Sequence, residues 1–123
     1  MESDEFKKLL EERRSWYKTI KKVYCPCLKT YIIFNSKGFH HVRFDGKGKR
    51  RSIEDETRRL LLLPLSLHII RTVQKTDDHR IYSNGEYWAL KGEIAGQNKK
   101  IIVVLKKIGQ GHTAYHSIMT EDD

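Results

Sequence analysis

A chain of 123 residues is long enough to bury a core without disulfide or metal staples, and short enough to form one domain. With 33% charged and 38% hydrophobic residues it stays outside the disordered class, and no apolar run approaches the length that crosses a bilayer. Lys and Arg outnumber Asp and Glu by 24 to 16, and the resulting charge of +8 points to a polyanionic partner.

Met1-Glu2-Ser3-Asp4-Glu5 is acidic and lacks the basic segment and apolar core of a signal peptide, so a cytoplasmic protein without a membrane partner is expected. Ser3 reads as a helix cap with Asp4 and Glu5 in the first turn. Phe6, Leu9, Leu10, Tyr17 and Ile20 follow at helical spacing, and Cys25-Pro26-Cys27 should end that helix. A disulfide across one intervening residue is strained and two thiols make no zinc site, so free cysteines are expected. Tyr31 to Phe34 reads as a short strand, Asn35-Ser36-Lys37-Gly38 as a turn, and Phe39 to Phe44 as a second strand.

Asp45 to Arg51 is then a mobile basic loop without the spacing of a phosphate-binding P-loop. Ser52 caps a helix with Glu54 and Asp55 in its first turn, and Pro64 kinks or restarts it. The apolar segment Leu65 to Val73 carries His68 at the core edge. From residue 79 the period changes to two: Arg80–Tyr82, Glu86–Ala95, Lys99–Lys107 and His112–Thr120 read as four antiparallel strands. Ile101 to Leu105 is apolar throughout, as in a strand covered on both faces. The expected fold is a single α+β domain, residues 1–123. Helices over about 1–75 pack on a four-stranded antiparallel meander over about 79–120.

Strand alternation sorts the meander into two faces. Ile81, Trp88, Leu90, Ile94, Ala114 and Ile118 should face the helices. Arg80, Tyr87, Lys91, Glu93, Thr113, Tyr115 and Ser117 should form an open polar face. His116 falls by period among the apolar residues, and a bulge would re-aim it to the open side. His40 shares a side with Val42 and Phe44, which leaves His41 as the proton carrier of that segment. Histidine is suited to acid–base work near neutral pH. A basic surface with two histidine-bearing segments points to cleavage of RNA, and Lys47, Lys49, Arg50, Arg51, Tyr87 and Lys91 are the candidate RNA contacts.

The order of elements carries a resemblance: a helical N-terminal half, Lys37-Gly38-Phe39-His40-His41-Val42, the basic loop, Leu62-Leu63-Pro64, and a meander ending Tyr115-His116-Ser117-Ile118. Over about Lys37 to Thr120 the chain resembles the barnase, EndoU, colicin-tRNase and RelE-like (BECR) ribonuclease superfamily, especially its phage- and toxin-associated branches. The resemblance implies an exposed sheet face that binds RNA, and metal-independent cleavage by the ribose 2′-hydroxyl that leaves a cyclic phosphate. It implies catalytic roles for His41, Arg80, Tyr115 and Ser117, and no cofactor or metal; His40 and His116 are further candidates from the histidine-bearing segments themselves. An acidic antitoxin or immunity protein is the partner it implies. The general base is not identified, since Glu93 lies on the open face by period but carries no motif. A non-catalytic RNA-binding module and an adaptor with a decayed site are the alternative expectations.

Overall fold

The computed structural model describes residues 3–93 and 99–121. Ser3 caps α1 (Asp4–Thr19) by accepting from the Phe6 amide, and Phe6, Leu10 and Tyr17 bury the predicted stripe. The helix ends earlier than expected. Lys22–Cys25 is already a strand, β1, whose alternation buries Val23 and Cys25 and exposes Lys22 and Tyr24. Cys25-Pro26-Cys27 thus begins the turn from β1 to β2 (Thr30–Ile33), where Lys29 takes a left-handed conformation at φ 55°.

The segment expected as a second strand is a helix, α2 (Ser36–Arg43). The Asn35 side chain accepts from the amides of Lys37 and Gly38 and caps the helix, so the polar run read as a turn is a helix start. Gly38, Phe39 and Val42 are the residues it buries, a helical spacing that six residues do not distinguish from strand alternation. Ser52 caps α3 (Ile53–Leu62) as expected, and α4 (Leu65–Thr72) restarts after Pro64. His68 on α4 is exposed rather than at the core edge.

The strands β3 (Asp78–Tyr82), β4 (Gly85–Glu93), β5 (Lys100–Lys107) and β6 (Thr113–Thr120) form the antiparallel run read from the sequence. The sheet is larger than that run. Its order is β1-β2-β6-β5-β4-β3, six strands, with β2 parallel to β6 through Ile33 and Ala114. The fold is therefore α+β with a mixed sheet, not helices on a four-stranded meander. The expected continuation of β4 through Ile94 and Ala95, the Gly96-Gln97-Asn98 turn, and the chain ends at Met1–Glu2 and Asp122–Asp123 lie outside the described residues.

The helices cover one face of the sheet, where Val23, Ile32, Leu90, Ile101, Val103, Leu105, Tyr115 and Ile118 join a single core. β5 alternates buried and half-buried residues, so Ile102 and Val104 belong to an open face instead of a second covered one. β2 meets β6 at a single pair, and α2 and α3 pack alongside the rest of β6: Arg59 donates to the Ile118 carbonyl at 2.7 Å. Gly38 is required at this crossing, because a Cβ there would stand 2.5 Å from the Tyr17 hydroxyl and 2.7 Å from the Tyr115 carbonyl. Among the described residues no helix is long and apolar enough to cross a membrane.

Candidate active site

One irregularity decides where the last strand points its side chains. Leu105 pairs with Tyr115 while Val104 pairs with Ser117, so His116 is an extra residue opposite β5. The bulge shifts the alternation. Thr113 and Tyr115 then share the covered face with Ile118 and Thr120, and Ala114 opposes Lys106 on the other. Tyr115 is 1% exposed, stacks on Phe34 at 4.9 Å, and meets Ser66 through its hydroxyl, so it packs the core instead of standing on the open face. Thr113 and Ser117 are buried as well.

The bulged His116 is half-buried and points to the open side. Its ring lies 4.2 Å from that of His41 and meets the Tyr87 ring edge-on at 5.6 Å. His41 comes from α2, whose cap at Asn35 and glycine crossing at Gly38 set it beside β6. The His41 carbonyl accepts from Arg51 Nε at 2.9 Å, which ties the histidine to the end of the basic loop. Lys106 Nζ lies 5.1 Å from the Tyr87 ring centre. His41, His116 and Lys106 line a cleft of about 320 Å³ together with Lys37, His112 and Ile33.

Burial first, then the neighbouring His41 and Lys106, push the His116 pKa from 6.5 down to about 4. His41 is lowered too, by burial first, then by His40, Arg51 and Lys106. The neutral pair therefore offers unprotonated imidazole nitrogen at neutral pH. An anion in the cleft would oppose Lys106 and Arg51 and raise both values.

The other expected site residues are scattered. His40 does not line the cleft and stacks on Phe44 at 4.4 Å. Arg80 lies on the edge strand β3, paired with Asp78 at 2.7 Å, although its Cα partner is Tyr87. Lys91 reaches Glu121 at 3.2 Å and Asp77 at 3.5 Å. The basic loop is folded rather than a loose tether. The Asp45 carboxylate accepts from the Lys47 and Lys49 amides, Arg50 donates to Glu56 and Arg51 bonds Asp55, while the Lys47 and Lys49 side chains stay exposed. Glu93 is exposed at the far end of β4.

Lys106 is the functional candidate that sequence reasoning missed. Its signal was present, since alternation from Ile102 through Val104 places it on the open face, but a strand read as doubly covered hides that. Among the described residues no three His, Cys, Asp or Glu side chains gather to hold a metal ion. No protein-family model, curated protein or solved structure matches this chain.

Proposed function

We propose that this protein is an endoribonuclease of the BECR type that cleaves RNA without a metal. The observation that carries this reading is the contact between His41 and His116 beside Lys106, on the open face of a sheet in a chain of charge +8. The two rings touch, so the scissile phosphate sits beside them in the cleft, against Lys106. One neutral imidazole takes the proton of the ribose 2′-hydroxyl as that oxygen attacks phosphorus. The bond from phosphorus to the 5′-oxygen breaks, and the protonated second imidazole supplies the proton to that leaving oxygen. The products are a 2′,3′-cyclic phosphate and a free 5′-hydroxyl. Lys106 stabilises charge growing on the phosphoryl oxygens, in place of Arg80, which is paired with Asp78 on the edge strand. His116, whose pKa is lowered to about 4, is present as the free base that takes the proton, and His41 supplies the acid.

Each proton transfer contributes on the order of a hundredfold or more. His41→Ala and His116→Ala should therefore each lower cleavage of unstructured RNA in EDTA by at least about a hundredfold. Lys106→Met should lower it as well, with far-UV spectra unchanged. Gel analysis of fragments with cyclic-phosphate ends checks this. Intact RNA that still binds in a salt-sensitive way would instead identify a non-catalytic RNA-binding module. In a toxin, an acidic inhibitor protein covering the same face is the expected partner.

A further inference from the structure

The open face extends beyond the histidine cleft. Lys22, Ile33, Ala114, Lys106, Tyr87 and Arg80 are successive Cα partners, one from each strand in sheet order. With strands about 4.8 Å apart, that row spans roughly 24 Å. At its far end the β1–β2 hairpin pairs Tyr24 with Tyr31 directly across the strands. Their rings meet edge to face at 5.3 Å, yet Tyr24 remains 45% and Tyr31 51% exposed. Lys22 Nζ stands 4.6 Å from the Tyr31 ring centre. Tyr31 lies two residues from Ile33, which lines the cleft, and strand alternation gives the two the same face.

We propose that this hairpin is a nucleobase-stacking subsite for an unpaired stretch of the same RNA that the histidine cleft holds, an inference that rests on the ribonuclease reading. A half-exposed phenol ring offers a face on which any base can stack, and an adjacent ammonium meets the phosphate that follows it. Tyr82 and Tyr87, 5.5 Å apart, form a similar pair on the other side of the cleft. Paired bases are already stacked on one another and cannot lie on either pair, so the substrate class is single-stranded RNA. Protein–protein interfaces are depleted in lysine, and here two tyrosines stand among lysines: Lys22, and the exposed Lys21 and Lys29.

The test uses fluorescein-labelled oligouridylates of two and eight nucleotides, with 2′-O-methyl sugars to block cleavage, and a duplex of the longer one. By anisotropy, the wild-type chain should favour the eight-nucleotide strand over the dinucleotide and over the duplex. Tyr31→Leu should weaken the longer strand roughly 5- to 150-fold and so shrink its advantage. Tyr31→Phe, which keeps the ring, should restore it. Tyr24→Leu is the second variant, should Tyr31→Leu lower stability. If the leucine variants bind the longer strand like wild type while unmodified RNA is still cleaved, the hairpin subsite is wrong and the ribonuclease reading stands. If wild type neither binds nor cleaves RNA, both fall. Loss of a co-purifying protein from Tyr31→Leu, with RNA binding intact, would overturn the subsite in favour of a protein interface.

Discussion

His116 shows how a single inserted residue changes chemistry. Without the bulge its ring would face the helices with Ile118, and the bulge sets it against His41 and Tyr87. A consequence is pH dependence. The folded chain titrates His116 at about 4 and the unfolded chain near 6.5, so between those values the unfolded state binds more protons. Stability from this source is complete above about 6.5 and declines as pH falls towards 4. His41, lowered as well, acts in the same direction. Thermal melts should show the decline in wild type and a flatter profile in His116→Gln. Lys106→Met should raise the His116 titration midpoint, which NMR of the ring protons reads directly. The singly protonated pair holds an acid and a base together, so kcat/KM should peak on the acid side of neutrality.

At the scale of elements, α2 holds His41 in place, and a buried carboxylate holds α2. Glu56 on α3 is 0% exposed and accepts from Arg43 Nε of α2 and from Arg50 Nε of the loop, each at 2.8 Å. Arg51 adds the bond to the His41 carbonyl and an ion pair to Asp55. Helix, loop and helix are thus clasped together through Glu56, Asp55 and the His41 carbonyl. Glu56→Ala leaves Arg43 without that carboxylate and should cost about 1.5–3 kcal/mol, the range for hydrogen bonds to a charged group, because solvent reaches the guanidinium left behind. Urea denaturation measures that loss. The caps at Ser3 and Ser52 were legible because a cap is a local event, whereas Asn35 was read as a turn because the two share the same residue types. The alternation of β3 to β6 was legible for the same local reason. β1 was not, because four residues after a helix carry too little period.

Over the whole molecule, charge and shape act together. The open face collects Lys22, Lys106 and Arg80 in one row across six strands, and this places part of the +8 charge along the expected path of a strand. If three phosphates are neutralised, raising salt from about 50 to 200 mM should weaken single-strand binding by roughly tenfold or more. A salt titration of anisotropy with the eight-nucleotide probe gives the slope, and a flat response would argue against a phosphate-tracking face.

Composition and short-range pattern were enough for the basic character, the capped helices α1 and α3, the break at Pro64 and the period-two run from β3 to β6. Each of these follows from neighbouring residues or from composition. Long-range packing was needed to make Phe39 to Arg43 helical, to extend the sheet to six strands with β1 and β2, and to turn Tyr115 inward. The same packing brings His41, His116 and Lys106 into one cleft. The reason is physical: a local pattern fixes which residues can share a face, but a one-residue bulge and a helix crossing at Gly38 decide which faces meet.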